Sequence, residues 1–275
     1  MTRSFAVVTD STADLPDEWR SRYDIEVVPL KVLFGKETFR DRVDMTDEEF
    51  FQRLGTATTL PTTSAPSPGE FAEVYRRLSR DHVGCISIHI GAQLSATAEA
   101  ARVGASSVDG FPVTVIDSET VSMPIAFLCR IAAESASLAD AETAVKQRVA
   151  RCRVLALLDT LRYLEMGGRL SRAQAMIGTM LDLKPLLLVV DREIKPVDRV
   201  RTRSRALTRM VDFFKNDMPV EHMAVMHAQA ADEAEQIASR LRAEFPDREV
   251  TVGQIGCVLG THTGPRAMGI VYIKS

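Results

Sequence analysis

Short apolar runs alternate with stretches of helical period along the whole chain. Residues 5–9 are apolar and β-branched and end in polar turn residues, which predicts a buried strand. Residues 26–33 predict a second strand, bent at Pro29 or lying at a sheet edge. Thr46-Asp-Glu-Glu49 and Ser67-Pro-Gly-Glu70 match capping boxes, so each opens a helix, the second with proline at its first position. In the helix after Ser67, the 3, 4 and 7 spacing of Phe71, Val74, Tyr75 and Leu78 gives one inward face. Strands are expected at residues 83–90 and 112–117. Helices are expected from Ser95, over 124–134, and over 138–149 behind Ser137.

The second half keeps the alternation. Residues 153–158 predict a strand. Residues 161–166 predict a short helix stopped by Gly167-Gly168, which suits a left-handed C-terminal cap. A helix over 171–181 and a strand over 185–190 follow. Asp191-Arg192-Glu193 reads as a hairpin turn into residues 194–197. Helices over 202–214 and 231–245 separate strands at 223–227, 249–252 and 268–273. Strands alternating with helices imply an α/β fold of mainly parallel sheets with helices on their faces. The length of 275 residues fits one or two domains. The change of texture places a boundary near residue 152, giving domains 1–152 and 153–275.

Charge and motif content remove several function classes. Lys and Arg total 34 against 37 Asp and Glu, a formal charge of −3, which argues against a general nucleic-acid binder. No run approaches the roughly 18 apolar residues of a membrane span, and the N-terminal apolar run is too short for a signal peptide. The expected location is cytoplasmic. Cys85, Cys129, Cys152 and Cys257 form no C-x-x-C pair and read as reduced, buried thiols. The chain lacks H-E-x-x-H, a Walker A loop, G-x-G-x-x-G and G-x-S-x-G, so the residues call for no metal, no cofactor and no catalytic nucleophile.

In a parallel sheet, ligands bind beyond the carboxyl ends of the strands. The segments found there are Asp10-Ser11-Thr12, the stretch from Gly91 to Thr97, and Ser118 to Ser122. Thr62, Thr63 and Ser64 precede the Ser67 helix. This rim is rich in hydroxyls and poor in Lys and Arg. Hydroxyls beside helix N-termini suit a carboxylate or phosphate oxygen, although such residues are more often helix caps alone. Two of them meeting at one point would make a site. Gly256 to Pro265 reads as a glycine-rich loop carrying His262, a residue that is either structural or a donor to a ligand. Arg199, Arg201, Arg203 and Arg205 line one face if extended and scatter if a helix starts at Thr202. With Arg169 and Arg172 they are either a solvated surface or a docking site for phosphate or an acidic partner.

Taken in order, these segments resemble the DegV family of bacterial fatty-acid-binding proteins. The resemblance runs nearly end to end. It is carried by Thr9-Asp10-Ser11-Thr12-Ala13-Asp14-Leu15, Pro61-Thr62-Thr63-Ser64, Leu94-Ser95-Ala96-Thr97, Leu164-Glu165-Met166-Gly167-Gly168-Arg169-Leu170-Ser171, Val200-Arg201-Thr202-Arg203 and Gly260-Thr261-His262-Thr263-Gly264. It implies a two-domain DegV-like fold with one long-chain, palmitate-like fatty acid between the domains. It implies that Thr63 and Ser95 hold the carboxylate, with His262 beside them. It also implies a non-catalytic carrier that presents the acid to a partner fatty acid kinase, with Arg169 and Arg201 engaging that kinase and only transient membrane contact. The alternatives are an enzyme of acyl or phosphoryl transfer, or a lipid-sensing regulator. The chain departs from the family pattern at Ala65, Gly91, Ala92, Ala96 and Arg266, positions that bear on the hydrogen bonds around the head group and on chain-length preference.

Overall fold

The computed structural model describes residues 4–169 and 183–275. The first apolar run forms β1 (Ala6–Asp10), buried at every position. It lies between β2 (Ile25–Val28) and β6 (Cys85–His89), and β7 (Val113–Asp117) completes a parallel sheet of order β2-β1-β6-β7. Both faces of this sheet are covered, which is why its central strands are apolar without alternation. On one side lie α3 (Pro68–Leu78) and α4 (Thr97–Ala105), which bury Phe71, Tyr75 and Ala101 against Ala6, Val8 and Cys85. On the other lies α5 (Met123–Ala133), buried without a break from Met123 to Cys129. A helix apolar all round must be enclosed, and α5 is packed between the parallel sheet and a second sheet.

That second sheet contains β8 (Cys152–Leu157), β9 (Lys184–Val190), β10 (Glu193–Val200), β11 (Val220–His227), β12 (Val250–Gln254) and β13 (Met268–Lys274), in the order β10-β9-β8-β13-β11-β12. A mainly parallel sheet is expected here from the strand–helix alternation, and the structure differs. Only β11 and β12 are parallel; every other pair is antiparallel. Two features cause this. Asp191 and Arg192 both take positive φ, 52° and 61°, the two-residue turn that folds β9 directly back on β10. The last strand, β13, then enters between β8 and β11, antiparallel to both. Helices α8 (Arg203–Lys215) and α9 (Ala231–Glu244) cover the outer face, over Leu155, Leu157, Val225 and Tyr272. The inner face, with Val154, Leu187, Val189 and Met226, shares one core with α5 and the parallel sheet.

Local signals read well. Thr46 and Ser67 each form the expected capping box, with Glu49 and Glu70, at the starts of α2 (Asp47–Thr56) and α3. Ser137 caps α6 (Leu138–Val149). Pro29 divides the expected strand over 26–33, so that β2 ends and β3 (Lys31–Phe34) starts a separate antiparallel sheet with β4 (Glu37–Arg40) and β5 (Thr62–Ser64). The helix expected over 171–181 lies outside the described residues. All four cysteines are buried. Among the described residues, no helix is long and apolar enough to cross a membrane.

Candidate functional site

Thr63 is the middle residue of β5, paired opposite Val32 of β3. Ser95 lies in the turn between β6 and α4, where the amides of Leu94 and Ser95 both donate to Gly91 O. Ser95 is not spent on a cap. The N-cap position of α4 is Ala96, which has no side-chain cap, and Ser95 Oγ instead meets Thr97 Oγ1 at 2.8 Å. His262 belongs to a short helix, α10 (Cys257–Thr263), rather than to the expected loop. Gly260 allows this helix to pack, since a Cβ there would lie 2.7 Å from the Phe51 ring. Gly167, at the end of α7 (Arg162–Met166), leaves room for the imidazole, because a Cβ there would collide with His262 Nδ1.

These elements bring His262 Nε2 to 2.9 Å from Thr63 Oγ1. His262 Nδ1 is buried with no hydrogen-bond partner among the described residues. Burial, and then the charge of Arg169, lower the His262 pKa to about 4. The ring is therefore neutral near pH 7, with one N–H and one lone pair.

Thr63, Ser95 and His262 line one cavity, together with Arg169. Arg169 is exposed overall. Its guanidinium donates to Leu94 O at 3.3 Å and to Gly167 O at 2.6 Å. The rest of the cavity is mostly apolar. Val154 is paired with Val189, Ala156 with Leu187, and Ile194 with Val189, so these five side chains make one patch on the inner face of the second sheet. Leu30, Ile90 and Val121 close it from the other half of the molecule. The space open to the centre of a water-sized sphere is about 120 Å³. One water needs roughly 10–15 Å³ on that measure, so the cavity suits an extended ligand of many atoms. Sequence reasoning missed this patch. The strands were legible, but not which of their faces meets the other half of the chain.

Arg201 is elsewhere. Helix α8 starts at Arg203, so the alternating arginines scatter: Arg199, Arg201 and Arg205 are exposed, while Arg203 turns inward to Asp159 and Glu233.

Two further polar groups lie outside the cavity. Asp10 Oδ2 meets His89 Nδ1 at 3.0 Å, His89 Nε2 meets Ser87 Oγ at 2.6 Å, and Ser87 Oγ meets Tyr75 OH at 2.8 Å. The order resembles a Ser-His-Asp triad, yet Asp10, Ser87 and His89 are each 0% exposed, so no substrate reaches them. Asp14 accepts from Ser122 Oγ at 2.6 Å and from the amide of Gly256, the N-cap of α10, at 2.9 Å. Burial raises its pKa to about 7, although Arg42 opposes the shift. Nearby, Asp41, Asp47 and Cys257 also converge, but Arg42 donates to both oxygens of Asp47.

The fold and site define an α/β protein with a mostly apolar cavity lined also by the hydroxyls of Thr63 and Ser95, a neutral histidine and an arginine. The family model described as "Uncharacterised protein, DegV family" matches residues 4–275, and the chain belongs to the DegV family. A DegV domain-containing protein of Streptomyces coelicolor is 38% identical over 280 residues, covering 98% of this chain and 99% of that one. The crystal structure of DegV, a fatty acid binding protein from Bacillus subtilis, aligns over 100% of both chains at 34% identity with a TM-score of 0.91. A DegV family protein from Thermus thermophilus, described for its fatty acid binding, aligns over 99% of this chain and 100% of its own at 30% identity, also with a TM-score of 0.91.

Proposed function

We propose that this protein binds one long-chain fatty acid in the cavity, as a carrier rather than an enzyme. One observation carries the reading: Thr63, Ser95 and His262 line the same cavity, and most of its other lining residues are apolar. A buried carboxylate needs donors or it neutralises. In this reading the Thr63 and Ser95 hydroxyls donate to it. Neutral His262 donates its Nε2–H to Thr63 Oγ1, which leaves the Thr63 proton for the acid. The acyl chain lies along the patch of Val154, Ala156, Leu187, Val189 and Ile194. At roughly 0.8 kcal/mol per buried CH₂, about 14 methylenes contribute on the order of 10 kcal/mol before the costs of association. Similarity to the Bacillus subtilis and Thermus thermophilus proteins supports the same ligand class.

The finer proposal is that the chain, arranged as two domains divided near residue 152 in the cytoplasm, presents the bound carboxylate to a fatty acid kinase. A carboxylate oxygen then attacks the γ-phosphorus of ATP held by the kinase, giving an acyl phosphate and ADP. Arg169 at the head of the cavity and the exposed Arg201 are the cations that meet this partner. Native mass spectrometry of the purified protein tests the carrier reading. One long-chain acid per chain, retained without ATP turnover, supports it. A protein that takes up no acid, or that alone hydrolyses ATP or an acyl ester, overturns it.

A further inference from the structure

Ser95 Oγ and Thr97 Oγ1 lie 2.8 Å apart, and by distance alone either hydroxyl could donate to the other. Burial decides which one does. Thr97 is the first residue of α4 and is 0% exposed. Among the described residues, its hydroxyl has Ser95 Oγ as its hydrogen-bond partner and no other. A buried O–H without an acceptor has given up its hydration for nothing in return. If Ser95 donated to Thr97, the Thr97 proton would be left in that state. Thr97 therefore donates to Ser95 Oγ. Ser95 is half-buried and lines the cavity, so its own proton remains for whatever occupies that space.

The surroundings hold this pair in place. Helix α4 packs against α3 and β7, with Ala98 and Ala101 fully buried. Gly104 lets it approach closely, since a Cβ there would lie 2.7 Å from the Cβ of Phe71. On the Ser95 side, the amides of Leu94 and Ser95 donate to Gly91 O, and the guanidinium of Arg169 donates to Leu94 O. The backbone of the turn is thus fixed on both sides of Ser95. What Thr97 adds is the direction of one proton. A hydroxyl that accepts one hydrogen bond also donates the next one more strongly.

We infer that Thr97 is a positioning residue for the carboxylate: by donating to Ser95 Oγ, it turns the Ser95 proton toward the acid. This rests on the carrier reading above. The test is isothermal titration of full-chain variants with palmitate and with methyl palmitate, beside thermal unfolding by circular dichroism. Thr97→Val keeps the size and branching of the side chain and removes its donor. It should bind palmitate about fivefold more weakly than wild type, while Thr97→Ser should stay within about twofold. Thr97→Ala removes the same donor and should show the same loss. The ester should lose less than the acid, because an uncharged oxygen accepts a weaker hydrogen bond. In a Ser95→Ala background, Thr97→Val should cost no more than about twofold further, since Thr97 then has no hydroxyl to orient. The Tm of Thr97→Val should stay within about 4 °C of wild type, because half-buried Ser95 can turn to solvent. Palmitate affinity in Thr97→Val equal to wild type, or tighter, overturns the inference: the bond would then run from Ser95 to Thr97. Equal losses for acid and ester overturn it too, as does a loss undiminished in the Ser95→Ala background, for either makes Thr97 a packing residue of α4. If Ser95→Ala alone binds palmitate as wild type does, the carboxylate assignment fails first and the role of Thr97 falls with it.

Discussion

Thr63→Val separates the hydroxyl from the shape of the cavity. The side chain keeps its volume and branching but loses a group that lies 2.9 Å from His262 Nε2. Two losses follow. A hydrogen bond to a charged carboxylate contributes about 1.5–3 kcal/mol, so palmitate affinity should fall roughly 10- to 150-fold. His262 Nε2 also loses its partner, beside an Nδ1 that already lacks one among the described residues. Leaving a buried polar group unpaired costs about 1–3 kcal/mol, and at about 2–4 °C per kcal/mol for a chain of this size the Tm should drop by roughly 2–12 °C. Thr63→Ser keeps the hydroxyl, and it should bind within about threefold of wild type, since it loses only one methyl. Isothermal titration with palmitate and thermal unfolding by circular dichroism read the two losses separately. A folded Thr63→Val protein that binds within twofold of wild type would refute the assignment, as would a Ser variant as weak as the Val variant.

Gly167→Ala should push the imidazole away from Thr63 and weaken palmitate binding about tenfold, because its Cβ collides with His262 Nδ1; equal affinity in a folded variant would show that the imidazole position does not matter. Arg169→Ala should raise the His262 pKa above about 4, since the arginine charge helps to lower it, and NMR titration of the ring gives the value directly. Arg201→Ala should leave palmitate affinity within about threefold while phosphorylation by the kinase falls about tenfold, and equal losses in both assays would merge the two sites. Asp14 has a folded pKa of about 7, raised from the ordinary carboxylate value near 4, so between those pH values the native state holds a proton that the unfolded chain has released. Stability should therefore fall as pH rises through that window and level off above about 7, a loss on the order of 3–4 kcal/mol. Asp14→Asn, which stays neutral throughout, should flatten that fall; an Asn variant with the wild-type slope in denaturant unfolding from pH 4 to 8 would contradict a raised Asp14 pKa.

What the residues disclosed was mostly local. Thr46 with Glu49, Ser67 with Glu70, and Ser137 with Asp140 cap their helices because all the atoms involved lie within one turn. The same economy hid the functional hydroxyls. Ser95 sits two residues before the first residue of α4, where a capping role is the ordinary expectation, and only the three-dimensional structure reveals that its Oγ meets Thr97 Oγ1 rather than a helix amide. The second sheet was legible as strands but not as an order, since the insertion of β13 between β8 and β11 is a tertiary event with no local signal. Strand β5 was missed because three hydroxyl residues have no apolar alternation; its pairing with β3 makes it a strand. Helix α10 was read as a loop on its glycines, whereas Gly260 is there so that the helix can pack against Phe50 and Phe51. Arg169 follows a glycine pair and is exposed as its sequence suggests, yet the chain turns it back over Leu94 into the cavity wall.

The central claim is that one cavity holds a carboxylate at its polar head and an acyl chain along its apolar walls. Palmitate and its methyl ester have the same chain and differ in the head group, so a direct comparison of their affinities isolates the head. The account predicts saturable one-to-one binding of palmitate, with the ester weaker by about tenfold or more because it presents no charge to the Thr63, Ser95 and His262 end. Equal affinity for acid and ester would contradict it, leaving an apolar cavity with no carboxylate site.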